Sequence, residues 1–129
     1  MSEKPRIVVV DDNEEFANLV AAALAVDNEV GVALDGREGL DLCLQQAADL
    51  MVADIGMPNM DAFSMLREMK KHPQTASMPV IILTATHFNT VSKSKLERDP
   101  QVCAILHKPC RLTDLAATVK SVLESRRPR

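Results

Sequence analysis

Five short apolar runs divide the chain at regular intervals, and each is followed by a polar segment with helical spacing. Four of the five runs are near-continuous and rich in Val, Ile or Leu, which is typical of strands covered on both faces. The runs are Ile7–Val10, Val30–Leu34, Leu50–Ala53, Val80–Leu83 and Val102–Leu106. This spacing predicts five β-strands.

The segments between the runs carry apolar residues at i, i+3 and i+4, which predicts helices. Asn13 is expected to cap the first helix, and His72-Pro73 to end the third. The segment from Phe88 to Asp99 has a weaker pattern and is also interpreted as a helix. The stripes are Phe16, Leu19, Val20, Ala23 and Leu24; Leu40, Cys43, Leu44 and Ala47; Phe63, Leu66 and Met69 or Lys70; and Leu112, Leu115, Ala116, Val119, Val122 and Leu123.

Strands that alternate with helices five times predict an α/β fold with one parallel sheet wrapped on both faces. The 129 residues suffice for one domain with a substantial core, which we expect to span residues 1–129 with its core at about 6–124. The sequence shows no repeat and no internal linker. Residues 125–129, with the basic Arg126-Arg127-Pro128-Arg129, are expected to form a solvated tail.

Composition excludes several classes of function. The chain is 47% hydrophobic and 26% charged with a net charge of −3, so it has no general attraction for nucleic acid or an anionic membrane. The three cysteines have no metal-type spacing, and no signal peptide or membrane-length apolar run is present. Cys43 and Cys103 are predicted to be core residues, whereas Cys110 follows a proline and has no feature of a nucleophile. A reducing, cytoplasmic location is expected.

Polar side chains follow four of the predicted strands. Asp11 and Asp12 follow the first, Asp54 the third, Thr84 the fourth and Lys108 the fifth. In open parallel sheets ligands bind beyond the carboxyl ends of the strands, so these side chains are expected to share one crevice. Asp54 is expected to be exposed there.

Three carboxylates in one crevice repel one another unless a cation intervenes, and carboxylates with carbonyls and waters suit Mg²⁺. Lys108 adds a compact positive charge and Thr84 a hydroxyl donor, which together favour a phosphoryl group as ligand. Asp54, on the middle strand, is the candidate nucleophile. The sequence contains no Walker-type loop or dinucleotide fingerprint that would bind ATP or NAD.

Each of these residues alone also has a purely structural interpretation. An Asp pair after a strand often serves helix capping, a Thr at a strand end is a good β-former, and Lys108 before Pro109 could be a turn residue. His87 is expected to be a surface loop residue. The joint occurrence at four strand ends favours the functional interpretation.

The chain resembles the receiver domain of bacterial two-component response regulators, including the chemotaxis regulator. The resemblance runs from Arg6 to about Leu123 and rests on the following motifs: Asp11-Asp12, Asp54 with Met57-Pro58-Asn59-Met60-Asp61, Thr84-Ala85 and Lys108-Pro109. It implies a flavodoxin-like doubly wound (βα)5 sheet with strand order 2-1-3-4-5.

The resemblance also implies a role for each matching residue. Asp54 would accept a phosphoryl group from a histidine of a sensor kinase or a phosphotransfer protein. Asp12 would bind Mg²⁺ directly, Asp11 through water, and the Gly56 carbonyl would be a further ligand. Lys108 would pair with the phosphoryl oxygens. The peptide bond between Lys108 and Pro109 would be cis. Thr84 would turn inward towards the phosphoryl group and carry the switch to the fourth helix and fifth strand.

The sequence departs from the family pattern at several positions. Ile105 replaces the usual aromatic residue on the fifth strand, Cys110 replaces a frequent Phe, and Ala62 stands where Gly is common. If the backbone at Ala62 required a positive φ, the substitution would cost about 1 kcal/mol. The charge pattern of one large dimerising subfamily is not evident in the last helix, so that dimer is not expected. Gly56 and Thr86, at positions that tune acyl-phosphate lifetime, predict slow self-dephosphorylation.

Two other functions remain open from the sequence. An aspartyl-nucleophile hydrolase of the haloacid dehalogenase kind would need a second Asp two residues after the nucleophile, where Gly56 stands, and usually a cap domain. A receiver-like module that works by docking alone is favoured by Ile105. The intact acidic residues, Thr84 and Lys108 argue against it. The expected protein is therefore a phosphoryl acceptor rather than an enzyme, with an effector that the sequence does not reveal.

Overall fold

The computed structural model describes residues 4–56, 59–84 and 90–125. Its strands are β1 (Arg6–Val10), β2 (Glu29–Ala33), β3 (Leu50–Asp54), β4 (Val80–Thr84) and β5 (Val102–His107). Its helices are α1 (Glu14–Leu24), α2 (Gly36–Gln45), α3 (Ala62–Met69), α4 (Thr90–Arg98) and α5 (Leu112–Ser125). All paired strands are parallel, in the order β2-β1-β3-β4-β5, so the predicted flavodoxin-like α/β fold is confirmed.

The central strands are buried because both faces of the sheet are covered. Alternate residues of β1 point to opposite sides: Val8 and Val10 join a core with α2, α3 and α4, whereas Ile7 and Val9 join a core with α1 and α5. Every residue of β3 and β4 is buried. Continuous apolar runs therefore correspond to strands with two covered faces.

Helix starts follow ordinary capping chemistry. The side chain of Asn13 accepts a hydrogen bond from the Phe16 N–H at 3.0 Å, which confirms the predicted cap of α1. Asp35 and Asp61 cap α2 and α3 in the same way. Helix α3 ends at Met69, three residues earlier than predicted, and turns lead from it towards β4.

Two predicted burials differ from the structure, and one predicted boundary falls outside the described residues. Leu19 is 55% exposed because the buried face of α1 is formed by Ala17, Val20 and Leu24. Cys103 is exposed because β5 is an edge strand with incomplete cover. Helix α4 begins at Thr90; the predicted start at Phe88, like Thr86, His87 and the tail 126–129, lies outside the described residues.

Cys43 is buried as predicted, and burial raises the pKa of its thiol to about 11. Such a thiol stays protonated and unreactive at neutral pH. Burial also raises the pKa of Cys110, against the opposing charge of Lys108. Among the described residues, no helix has both the length and the apolar character needed to cross a membrane.

Candidate functional site

The carboxyl ends of β1, β3 and β5 bring the predicted acidic and basic side chains into contact. Carboxylate oxygens of Asp11, Asp12 and Asp54 all lie within 4.8 Å of one another. The Lys108 Nζ lies 2.7 Å from Asp11 Oδ2 and 3.4 Å from Asp54 Oδ1. Strand β1 lies between β2 and β3: the chain adds β2 on one side of β1 and then β3, β4 and β5 on the other, so the cluster lies at the switch point of the sheet.

The carboxylates differ in their contact with solvent. Asp11 is 1% exposed and Asp54 is 9% exposed, whereas Asp12 is an exposed residue. The expectation of an exposed Asp54 was therefore wrong: it is the last residue of β3, paired with Leu83 of β4, and its neighbours shelter it. A mostly buried carboxylate is held more rigidly than an exposed one and faces a site with less water.

Asp11 is fully engaged by two hydrogen bonds. Its Oδ1 accepts from the Asn13 N–H at 2.9 Å, and its Oδ2 accepts from Lys108 at 2.7 Å. The first bond fixes the carboxylate relative to the start of α1. Asp11 is thus an orienting residue, while capping of α1 belongs to Asn13.

Lys108 is surrounded on several sides. Besides the two carboxylates, the Phe16 ring lies under its ammonium, with the ring centroid 4.5 Å from Nζ. Burial alone would lower the pKa of Lys108, but the hydrogen bond to Asp11 and the charge of Asp54 outweigh it and raise that pKa. The role of Phe16 was missed from sequence because a core stripe also explains an aromatic at that position.

Several effects act in opposite directions on the pKa of Asp54. Burial raises the pKa of its carboxyl, the Lys108 charge lowers it, and the Asp11 charge raises it again, with a raised pKa as the net result. The one ammonium therefore compensates the buried charges only in part. The donor set, three carboxylates beside a single lysine, fits a hard divalent cation such as Mg²⁺.

The raised pKa of Asp54 predicts a specific dependence of stability on pH. The folded state binds this proton more tightly than the unfolded chain, so stability falls as pH rises from about 4, the ordinary Asp value, through the raised folded-state pKa. With a chelator present, Asp54→Asn should unfold at higher urea concentration than wild type at neutral pH. The difference should shrink as pH falls towards 4; a gap that stays constant with pH would contradict this origin.

Thr84 ends β4 and is 1% exposed. Its carbonyl oxygen accepts a hydrogen bond from the Lys108 N–H at 2.7 Å, so the backbone at Thr84 fixes the start of the Lys108 segment. The peptide bond between Lys108 and Pro109 is cis, as the resemblance implies. Ile105 on β5 pairs with Ile82 and is half-buried against the core that contains Leu96.

The loop after Asp54 is attached to both neighbouring elements. The Ile55 N–H donates to the Leu83 carbonyl at 3.0 Å, and the Ile55 carbonyl accepts from the Ala62 N–H at 3.2 Å. Gly56 is exposed, with open space where a Cβ would lie. Ala62 opens α3 and has no positive φ, so the cost considered for this substitution is not incurred. Asn59 has φ 65 instead.

Comparison with known proteins gives a consistent result. The family model of the response regulator receiver domain matches residues 7–120. The chain is 38% identical over 81 residues to the response regulator PleD of Caulobacter vibrioides, which covers 62% of this chain and 18% of PleD. It is 31% identical over 124 residues to the response regulator MprA of Mycolicibacterium vanbaalenii, covering 95% of this chain and 52% of MprA. This chain therefore spans about half or less of these relatives.

Solved structures agree with the sequence comparison. The receiver domain of the Francisella response regulator 1452 superposes with a TM-score of 0.82 at 27% identity, covering 95% of this chain and 99% of that one. The Vibrio cholerae chemotaxis protein CheY4 superposes with a TM-score of 0.83 at 25% identity, covering 93% and 99%. The similarity thus extends over nearly the whole fold and not only its motifs.

Proposed function

The chain belongs to the response regulator receiver domain family of two-component signalling, and on this premise we propose that Asp54 accepts a phosphoryl group with the help of Mg²⁺. The observation that carries the proposal is the cluster of Asp11, Asp12 and Asp54 with Lys108 at hydrogen-bonding distance. The donor is proposed to be a phosphohistidine of a sensor kinase or phosphotransfer protein.

In the proposed reaction an Asp54 carboxylate oxygen attacks phosphorus, and the bond between phosphorus and the donor imidazole nitrogen breaks. The Lys108 ammonium, which lies 3.4 Å from Asp54 Oδ1, is proposed to contact a phosphoryl oxygen. Bound Mg²⁺ would neutralise phosphoryl charge. Asp12, Asp54, the Gly56 carbonyl and, through water, Asp11 are its proposed ligands. Thr84, at the next strand end, is proposed to hydrogen-bond the phosphoryl group.

Two features distinguish this proposal from its alternatives. A hydrolase of the haloacid dehalogenase kind needs a general acid two residues after the nucleophile, and Gly56 has no side chain. A module that only docks would not need two buried carboxylates and a lysine in mutual contact, since buried like charges are costly. Ile105 is the observation that favours the docking module.

The direct test uses a small acyl-phosphate donor with Mg²⁺ and intact-protein mass spectrometry. Wild type should gain one phosphoryl group, Asp54→Ala should gain none, and Asp41→Ala, which removes an exposed carboxylate from α2, should behave as wild type. A wild type that stays unmodified under these conditions would favour docking alone. Continuous turnover of a phosphomonoester would instead favour the hydrolase.

Mg²⁺ should stabilise the fold through the acidic cluster. At about 100 times its dissociation constant a ligand specific to the folded state adds about 2.7 kcal/mol, so the thermal midpoint should rise clearly with Mg²⁺. Asp12→Ala should abolish the rise without harming the fold, because Asp12 is exposed. Asp41→Ala serves as the charge-matched control. A full Mg²⁺ response in Asp12→Ala would show that the cation binds elsewhere.

The phosphorylated protein should lose its phosphoryl group slowly, over minutes or longer. Gly56 offers no side chain that could position an attacking water, and the space beside it is open. Gly56→Asn should shorten the lifetime because its amide can reach into that space. The measurement is the decay of the phosphorylated mass after donor removal. A wild-type half-life of seconds would contradict this interpretation.

The partner that recognises the phosphorylated state is proposed to be an effector protein or domain. No further activity is proposed for the described residues. Similar segments occur in proteins named as kinases, such as the sensor histidine kinase TmoS of Ectopseudomonas mendocina, 27% identical over 122 residues. A receiver of this kind can therefore serve in more than one protein context. Cytoplasmic location and the absence of direct nucleic acid or membrane binding belong to the same proposal.

A further inference from the structure

The loop that follows Asp54 is attached to the start of α2 through a pair of polar side chains. The side-chain amide of Asn59 donates to Asp35 Oδ2 at 2.8 Å. The other oxygen of the same carboxylate, Oδ1, accepts from the Glu38 N–H at 2.8 Å and so caps α2. Asp35 therefore has two roles: it caps the N-terminus of α2, and it binds the loop through Asn59.

The backbone shows the same attachment independently. Asn59 has φ 65, a conformation that few residues other than Gly, Asn and Asp adopt cheaply. Its neighbour Met60 accepts a hydrogen bond from the Gly36 N–H at 3.2 Å. A Cβ on Gly36 would lie only 2.3 Å from that Met60 oxygen, so the two backbones could not approach this closely with any other residue at position 36.

Gly56 lies between two fixed points of this loop. On one side Ile55 is bonded to Leu83 of β4 and to Ala62 at the start of α3. On the other side Asn59 is bonded to Asp35. We propose that Asp35, acting through Asn59, is a positioning residue that sets the place of the Gly56 carbonyl and thereby the affinity of the site for Mg²⁺.

This inference rests on the proposed function, because it concerns the same cation site. It adds Asp35, a residue outside the motifs named above that caps the start of α2, whereas the acidic cluster lies at the carboxyl ends of β1 and β3. Linkage makes the effect reciprocal: if Asp35 and Asn59 favour Mg²⁺ binding, then bound Mg²⁺ strengthens the attachment of α2 to the loop. Occupancy of the site would then be sensed at the start of α2.

The competing interpretation is that Asp35 is only a helix cap, and two substitutions separate the roles. Asp35→Ser keeps a good capping oxygen for the Glu38 N–H but is too short to reach Asn59. Asn59→Gly keeps the positive φ available and removes the amide. Asp41→Ser is the control, since it removes a carboxylate from the exposed face of the same helix. Urea unfolding shows whether each variant is folded.

Mg²⁺ affinity is measured by calorimetric titration, because the chain has no Trp or Tyr to report binding by fluorescence. An exposed hydrogen bond of this kind predicts that Asp35→Ser and Asn59→Gly each weaken Mg²⁺ binding by about threefold to tenfold. The double variant should bind no more weakly than the weaker single variant, since both remove the same contact. Asp41→Ser should bind as wild type.

Amide NMR shifts during the same titration give a readout independent of phosphorylation. In wild type, Mg²⁺ should move the amide signals of Gly36 and Glu38 as well as Gly56, and in Asn59→Gly the response of Gly36 and Glu38 should be lost. Wild-type affinity in Asp35→Ser, or effects that multiply in the double variant, would overturn the inference while the proposed function stands. A wild type that binds no Mg²⁺ would overturn both.

Discussion

Lys108→Ala is expected to slow phosphorylation of Asp54 by a small acyl-phosphate donor by about 10²- to 10³-fold, the usual cost of removing one preorganised donor from a site of developing charge. The lysine has no substitute among the described residues at this edge, since it is the only cation within salt-bridge distance of Asp11 and Asp54 there. The measurement is the initial rate of phosphoryl incorporation at saturating Mg²⁺.

The same substitution should also destabilise the protein when a chelator removes divalent cations. It leaves Asp11, 1% exposed, and Asp54 without a counter-charge, and we expect a loss of about 2 kcal/mol in unfolding free energy. Mg²⁺ should restore much of this loss because it supplies the missing positive charge. Lys120→Ala, on the exposed face of α5, is the matched control. Unchanged rate and stability in Lys108→Ala would contradict the assigned role.

Gly36→Ala should lower the unfolding free energy by about 2 kcal/mol, although alanine is the better helix former. The new Cβ would lie 2.3 Å from the Met60 carbonyl oxygen, and because that atom is backbone it cannot rotate away. Either α2 or the loop after Asp54 must shift, and the hydrogen bond from Gly36 to Met60 is lost with it.

Gly31→Ala provides the control for Gly36→Ala. The nearest atoms to a Cβ at Gly31 are the Arg6 Nη2 at 3.4 Å and the Leu42 Cδ1 at 3.8 Å, which are ordinary contacts. This variant should be as stable as wild type or slightly more stable, because alanine is better than glycine in a strand. Urea unfolding of both variants measures the difference. Equal unfolding free energies of Gly36→Ala and Gly31→Ala would show that the loop accommodates the new Cβ without loss of stability.

The fold could be predicted from sequence because central strands of a parallel sheet are apolar on both faces. The runs at Val80–Leu83 and Leu50–Ala53 have no polar position that would permit another interpretation, and both strands extend only one residue further. Edge elements carry weaker signals. Cys103 lies in an apolar run and is exposed, because a sequence pattern does not show which strand lies at the edge.

The candidate site could be predicted in part. Asp11, Asp12, Asp54 and Lys108 stand directly at strand ends, so the topology of a parallel sheet was enough to bring them together. The low exposure of Asp54 was not predictable, because burial at a strand end depends on how the neighbouring loops pack over it.

The contacts that orient the site were also beyond prediction. The Asn59 to Asp35 bond joins residues 24 positions apart in two different loops, and neither position belongs to a periodic pattern. The Phe16 ring near Lys108 belongs to a stripe that α1 needs for packing in any case. Orientation of functional groups depends on such single contacts, whereas hydrophobic patterning reports only the averaged environment of a face.

The measurement that tests the central claim most directly is to trap and locate the acyl phosphate. The protein is incubated with a small acyl-phosphate donor and Mg²⁺, treated with borohydride, which reduces an aspartyl phosphate to homoserine, and mapped by peptide mass spectrometry. The account predicts homoserine at position 54 of the wild type, dependent on Mg²⁺ and absent in Asp54→Asn. Modification of Asp11 or Asp12 instead, or no modification at Asp54 when both donor and Mg²⁺ are present, would contradict it.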